Sequence, residues 1–179
     1  MGWYEVECKI KIDDADEIRK KINEIAKFAK NEKKVDDYYS LEYFNYPDKS
    51  LRVRNKGKKR EVNFKRRKSY VEGIHAKNEF QFGITDLKGF FELIEDFGFR
   101  KWMHKEKKTE LYITKDGVNI ELNHVDRLGW YIEIEILCDE EGIKNARKKI
   151  AAVRNKLGFG SRDSEKRGYT KMLWDAQNK

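Results

Sequence analysis

Cysteine is scarce in this chain, with Cys8 and Cys138 the whole supply. Two thiols cannot build a disulfide framework or a four-thiolate zinc site. Histidine is nearly as rare, and His75, His104 and His124 stand at no ligand spacing, so a hydrogen-bonded structural role is expected of each. No apolar run is long enough to span a bilayer, no apolar leader opens the chain, and Val6 stands where a myristoylation signal carries Ser or Thr. The expectation is a cytoplasmic protein without a membrane partner. A Walker loop, a G-x-G-x-x-G turn and a nucleophile elbow are missing too. If phosphate is bound, side chains rather than a glycine-rich loop must hold it. Proline occurs once and glutamine only at Gln81 and Gln177, while Lys and Glu abound, a balance that resembles heat-adapted compositions.

What the chain does have is charge together with material for a core. Charged residues make up 40% of its 179 positions, against 39% hydrophobic and 13% aromatic, which predicts a folded domain rather than a disordered polyelectrolyte. The length suits a single domain over 1–179. A formal net charge of +8 and a pI near 9.3 favour polyanionic partners: nucleic acid, a membrane surface or small phosphorylated ligands.

The hydrophobic pattern predicts an order of elements that occurs twice. Trp3 to Ile12 alternates, with Glu5, Glu7, Lys9 and Lys11 on one face and Val6, Cys8, Ile10 and Ile12 on the other. Asp13 or Asp14 then caps a helix expected to run to about Lys30 on Ile18, Ile22, Ile25 and Ala29. Strands are predicted at Val35–Tyr43, Leu51–Asn55 and Glu61–Arg67, the last two joined by a turn at Asn55–Lys58. From Gly73 the sequence begins again. A strand around Glu79–Phe82 precedes a helix capped by Thr85 or Asp86, carrying Phe90, Phe91, Ile94 and Phe97 and ended by Gly98. Strands near Lys101–Thr114, Val118–Asn123 and Tyr131–Ile136 complete the second set. The inference is an internal duplication, about 1–72 and 73–137, followed by C-terminal helices over 139–179, one capped by Asp139 and a shorter one from Asp163 to about Ala176. The fold class is therefore α+β, and eight antiparallel strands in two like halves invite closure into a barrel with a charged interior and helices outside.

Chemistry follows from the polar faces. Glu5 and Glu7, two apart on a strand, stand close enough to share a hard cation, and Lys9 next along the row can meet an anion that the cation also holds. Further cations on polar strand faces are Lys11, Arg52, Arg54, Lys65 and Lys77, and further acids are Glu79, Glu133 and Glu135. A triphosphate site needs both signs, because cations bind the phosphate oxygens and carboxylates hold the bridging Mg²⁺ or Mn²⁺. Solvated strand faces carrying cross-strand ion pairs would give the same pattern. The basic run Lys56–Lys68, with Phe64 and Tyr70 able to stack bases, allows a nucleic-acid reading, but Val62 and Phe64 look core-facing and no glycine-rich RNA-binding signature accompanies them.

Glu5-Val6-Glu7-Cys8-Lys9, Leu51-Arg52-Val53-Arg54 and Leu128–Glu135, in that order along the chain, resemble motifs of the CYTH superfamily, the triphosphate tunnel metalloenzymes that include class IV adenylyl cyclases and thiamine triphosphatases. Glu5-Val6-Glu7-Cys8-Lys9 matches its ExExK signature, Asp37-Tyr38-Tyr39 resembles D-x-Y-F, Leu51-Arg52-Val53-Arg54 resembles L-R-I-R, and Phe64-Lys65 the later lysine strand. Lys77-x-Glu79 is similar to R-x-E-x-E, Leu128–Glu135 to L-G-x-F-x-E-I-E, and Gly168–Leu173 to the terminal S-Y-x-x-L-L, with a lean toward the class IV cyclase-like branch. The resemblance implies an eight-stranded tunnel acting on a nucleoside, thiamine or inorganic triphosphate with Mg²⁺ or Mn²⁺. By motif position Glu5, Glu7, Glu133 and Glu135 are metal ligands, with Glu79 a further acid, and Glu5, Glu7 and Lys9 are the catalytic set. Arg52, Arg54, Lys65 and Lys77 grip phosphate, and Lys107 joins them from the lysine-rich strand in which Thr109 occupies the place of an arginine. Gln81 and Asn123 stand where the family carries acids, and Lys77 where it carries arginine. Fewer acids lower the capacity for a second metal, so cyclisation, hydrolysis and binding without turnover all follow from the same residues. Nothing in the sequence fixes the oligomeric state.

Overall fold

The structure, a computed structural model, describes residues 3–56 and 59–178; Gly57 and Lys58, in the expected Asn55–Lys58 turn, lie outside the described residues. Its elements run strand, helix and three strands, twice. The first set is β1 (Trp3–Lys11), α1 (Ala15–Ile25), β2 (Ala26–Ser40), β3 (Leu51–Lys56) and β4 (Lys59–Val71). The second is β5 (Ile74–Ile84), α2 (Leu87–Asp96), β6 (Arg100–Thr114), β7 (Asn119–Val125) and β8 (Gly129–Cys138). Helix α3 (Ile143–Lys156), a 3₁₀ turn at Ser161–Asp163 and helix α4 (Tyr169–Gln177) follow. The strands form a closed antiparallel barrel in the order β1-β5-β4-β3-β2-β6-β7-β8, so that among the described residues each strand has a neighbour on both sides. Among the described residues no helix is long and apolar enough to cross a membrane.

Strand β1 shows why closure matters. Val6, Cys8 and Ile10 are buried in an apolar cluster, as its alternation predicts, yet Glu5, Glu7 and Lys9 on the opposite face are buried as well, at 8%, 6% and 5% exposure. A strand with one solvated face would leave those charges wet. Here the charged face is an interior.

The chain divides into two compact units. One comprises Met1–Lys33, Lys65–Glu79 and Lys108–Lys166. Its core packs Ile18 and Ile22 of α1 and Ile143, Ala146, Ile150, Val153 and Leu157 of α3 against Val6, Cys8, Ile120, Leu122, Ile132 and Ile134 of the strands. Each fully buried aliphatic side chain of this kind contributes roughly 1.5–3 kcal/mol. The other unit comprises Lys34–Phe64, Phe80–Lys107 and Arg167–Lys179. It buries Tyr39, Val53, Val62 and Ile94, with Phe90, Phe91 and Phe99 packed against them.

Several boundaries differ from the sequence pattern for local reasons. Helix α1, capped by the Asp14 carboxylate on the amides of Asp16 and Glu17, ends at Ile25 instead of Lys30. Ala26 is already extended, and the Phe28 ring meets Tyr112 edge-on at 5.5 Å, so a cross-strand aromatic pair takes residues that helical spacing alone would have kept. Ala29 is exposed as a result. In α2 the Asp86 carboxylate accepts from Gly89 N, but Phe97 sits past the helix end and is 70% exposed rather than on the core face. Asp139 accepts from Gly142 N and so caps a turn that precedes α3, which begins at Ile143. The last helix starts at Tyr169 and not at Asp163, because the Asp163 carboxylate closes the 3₁₀ turn on Gly160 N.

Candidate functional site

Register builds the first charged centre. In the β1–β8 pairing Glu7 lies opposite Glu135 and Lys9 opposite Glu133, and in the β1–β5 pairing Glu5 lies opposite Lys77. In the β7–β8 pairing Glu121 faces Glu133. Two directly opposed pairs of like charge cost a sheet stability, so this interior is arranged for something other than sheet stability. Ligand oxygens of Glu5, Glu7 and Glu135 lie within 4.8 Å of one another. Lys65 pairs with Glu5 and reaches Glu79 at 3.7 Å, and Lys77 pairs with Glu7. Lys9 stands 3.7 Å from Glu133.

The electrostatics are uneven across these acids. Burial, with Glu121 and the other carboxylates adding to it, pushes Glu135 up to about 8. Glu5 is also raised, by burial first, which the neighbouring Lys65 only partly offsets. Burial acts on Glu7 in the same sense, but Lys77, Lys65 and Lys9 together outweigh it and hold that carboxyl well below its usual range. A divalent cation would relieve what the lysines leave uncompensated. The donor set suits Mg²⁺ or Mn²⁺: three hard carboxylates, Glu5 and Glu7 buried and Glu135 half-buried, with no thiolate or imidazole among them.

Of the five acids expected as ligands, the structure gathers Glu5, Glu7 and Glu135; Glu79 and Glu133 fall outside that group and engage Lys65 and Lys9. Asn123 explains part of this. Its amide donates to Glu133 at 2.9 Å and to Glu121 at 3.3 Å, while its carbonyl oxygen accepts from Thr109 at 2.6 Å. An acid there would add a third negative charge; the amide instead holds the opposed pair together. Gln81, the other departure from the family pattern, is exposed. Glu121 went unnoticed in the sequence, although it shares a face with Asn119 and Asn123 in an alternating strand.

A second charged centre lies within the other unit. Asp36, fully buried, accepts a bidentate pair from Arg54, Nε to Oδ1 at 2.6 Å and Nη2 to Oδ2 at 2.9 Å, and an ion pair from Lys105 at 3.0 Å. Burial would raise its pKa, but Lys105, Arg54 and Arg52 overcome that and drive it far below the ordinary carboxylate range. Arg52 shares the Arg54 face of β3, opposite Tyr38 of β2. Lys107 is buried at 6% exposure with its ammonium 5.7 Å from the centre of the Tyr169 ring, and Lys105 stands 5.4 Å from the same ring and 5.5 Å from that of Tyr38. Asp36 and Lys105 were legible only as a strand position beside the Asp37 motif and as part of a lysine run; pairing made them an ion-pair hub.

The remaining candidates have structural partners. Phe64 stacks on Phe80 at 4.6 Å, and Tyr70 lies against His75. His75 Nε2 is 3.0 Å from the Lys166 carbonyl, His104 meets Asp37 at 2.7 Å, and His124 meets the Trp130 ring.

Comparison with known proteins agrees with the barrel fold. A family model described as the CYTH domain matches residues 4–169. A Methanocaldococcus jannaschii protein named "Putative adenylate cyclase" is 27% identical over 135 residues, covering 73% of this chain and 75% of that protein. The solved structure of a Pyrococcus horikoshii OT3 protein superposes with a TM-score of 0.79 at 28% identity, covering 96% of this chain and 99% of the other. A Hippeastrum protein, described as a putative adenylyl cyclase with a dominant triphosphatase activity, shares the fold at a TM-score of 0.66 and 14% identity, covering 100% of this chain and 97% of that one.

Proposed function

The chain belongs to the CYTH domain family, and from that premise we propose that it is a divalent-metal-dependent enzyme acting on triphosphate esters, by cyclisation of a nucleoside triphosphate or by hydrolysis. The observation that carries this reading is the group Glu5, Glu7 and Glu135, two of them buried and the third half-buried, its oxygens within 4.8 Å of one another and flanked by Lys65, Lys77 and Lys9. The cyclase name of the Methanocaldococcus jannaschii relative points toward cyclisation, and the Hippeastrum protein shows that hydrolysis can dominate on this fold.

Glu5, Glu7 and Glu135 would hold Mg²⁺ or Mn²⁺, with Glu79 and Glu133 as supporting acids; when bound, the ion neutralises phosphate charge and polarises the phosphoryl oxygens. Lys65 and Lys77 now neutralise Glu5 and Glu7, and each ammonium carries three donors that can turn to phosphate oxygens. Lys9, buried beside Glu133, would stabilise charge developing on the leaving phosphate. Within the other unit the same reading gives phosphate contact to Arg52 and Lys107. Arg54, committed to Asp36 by two hydrogen bonds, orders that centre and contributes its positive charge. The domain is read as one functional unit over 1–179, and a cytoplasmic setting supplies such triphosphates.

Incubation of purified protein with ATP, thiamine triphosphate and tripolyphosphate, each with Mg²⁺ and with Mn²⁺, followed by chromatography, separates the reactions. Cyclic AMP with pyrophosphate identifies a cyclase, and orthophosphate identifies a hydrolase. The amide of Asn123 in place of an acid favours a second reading, a polyphosphate-binding module without turnover. Tight tripolyphosphate binding with no product from any substrate would select that reading over both enzymes.

A further inference from the structure

Trp3, at the start of β1, is exposed to solvent on the face that carries the carboxylate group. Its neighbour Tyr4 is partly buried against the outer apolar cluster, with its hydroxyl 3.4 Å from Glu140. Strand alternation therefore places Trp3 on the opposite side, in one row with Glu5 and Glu7. Neighbours in that row stand about 6.6 Å apart. The register puts Trp3 opposite Glu79 of β5, and Leu137 of β8 opposite Glu5, so Trp3 and Leu137 are diagonal neighbours across β1 and β8. Both are apolar and both are open to solvent, at 64% and 57% exposure. The backbone beneath Trp3 is held, since Asn78 Nδ2 donates to the Trp3 carbonyl at 3.3 Å.

An indole exposed beside Leu137, at the end of a row of buried acids and a lysine, leaves apolar surface in water that a bound ring could bury. Inorganic triphosphate offers nothing for an indole face to meet, whereas a flat heterocycle attached to the triphosphate offers a π-face, and stacking tolerates any such ring.

We propose that Trp3, with Leu137 beside it, is the stacking platform for an aromatic heterocycle carried on the triphosphate, and that it makes the protein select nucleoside or thiamine triphosphates over inorganic triphosphate. This rests on the triphosphate reading above and adds the residue that reads the organic part. No bond is made or broken at Trp3; its role is binding and selection.

The test is a ratio. Dissociation constants for ATP, thiamine triphosphate and tripolyphosphate are measured in the presence of Mg²⁺ for the wild type, Trp3→Ala and Trp3→Phe, with circular dichroism melts to confirm folding. Ring stacking on an aromatic side chain corresponds to about 5- to 150-fold in affinity. The Kd ratio of ATP to tripolyphosphate should rise at least fivefold in Trp3→Ala and return most of the way in Trp3→Phe. A rise for ATP alone assigns the platform to nucleobases, and a rise for thiamine triphosphate alone assigns it to the thiamine ring. Ratios unmoved for both organic substrates, in variants that still bind tripolyphosphate, would overturn this inference and leave the proposed function standing. Wild-type protein that binds none of the three would instead overturn the proposed function, and this inference with it.

Discussion

At the scale of single residues, two interior-facing acids are held in opposite states, and each makes a measurable claim. Glu135, pushed up to about 8, keeps its proton at neutral pH in the metal-free protein. A cation must displace that proton, so metal binding at pH 7 is expected to release close to one proton, and affinity should climb about tenfold per pH unit until pH 8. Calorimetry in two buffers of different ionisation heat reads this directly, and Glu135→Gln should abolish the release. The folded value lies above the ordinary 4.5, so the stability from this group is full below pH 4.5 and is lost as pH rises through 8. Asp36 is the reverse case. Its pKa is depressed below the ordinary 3.8, so its contribution is present above that pH and lost as pH falls through the lower folded value. Breaking the pair by Arg54→Ala is expected to cost about 2–4 kcal/mol in urea unfolding at pH 7, with Lys105 retaining part of the neutralisation. The cost of Asp36→Asn should shrink steadily as pH is lowered below 3.8. A loss under 1 kcal/mol for Arg54→Ala would show that Arg54 is available for phosphate after all.

Elements show what a sequence can carry. Alternation in β1, β3, β7 and β8 was readable because each side chain's face is fixed by counting in twos, and the acids at Glu5, Glu7, Glu133 and Glu135 followed from it. Which of them meet was not readable. The gathering of Glu5, Glu7 and Glu135 depends on Glu7 lying opposite Glu135, a register set by pairing between residues far apart in the chain. The burial of Asp36 beside Arg54 and Lys105 was hidden for the same reason. The early end of α1 was missed because Ala26–Lys30 suits a helix locally, and only the tertiary contact of Phe28 with Tyr112 decides for strand. At the β4–β5 hairpin Glu72 and Gly73 both have positive φ, at 49° and 82°, and the Glu72 carbonyl accepts from Arg154 Nη1 at 2.8 Å. A Cβ on Gly73 would lie 2.8 Å from the Ser161 carbonyl oxygen, which is backbone and cannot swing aside. Gly73→Ala should therefore destabilise by about 2–3 kcal/mol, since clash adds to left-handed strain. A thermal melt unchanged by this substitution would mean that the Ser161–Asp163 turn yields freely.

For the molecule as a whole, a closed sheet solves one problem and creates another. Closure removes the open edges of a flat sheet but turns one face of β1, β7 and β8 inward, and on that face Glu121 opposes Glu133 at all times and Glu7 opposes Glu135 with like charge once Glu135 ionises. The apolar cluster joining α1 and α3 to those strands must outweigh the repulsion in the metal-free state. A cation that binds only the folded chain removes part of that load, and mass action gives about 2.7 kcal/mol at a concentration one hundred times its Kd. For a chain of this size that corresponds to a rise of roughly 5–10 °C in melting midpoint. Glu135→Gln separates relief of repulsion from binding, because the neutral amide relieves the repulsion without offering a charged ligand. Without metal, the variant should melt no lower than the wild type at pH 8, where Glu135 is half ionised. With saturating Mg²⁺ or Mn²⁺, only the wild type should gain. A variant that kept the full metal-induced rise would remove Glu135 from the ligand set, and a wild type that gained nothing from either ion would leave Lys65 and Lys77 as the permanent counterions of Glu5 and Glu7.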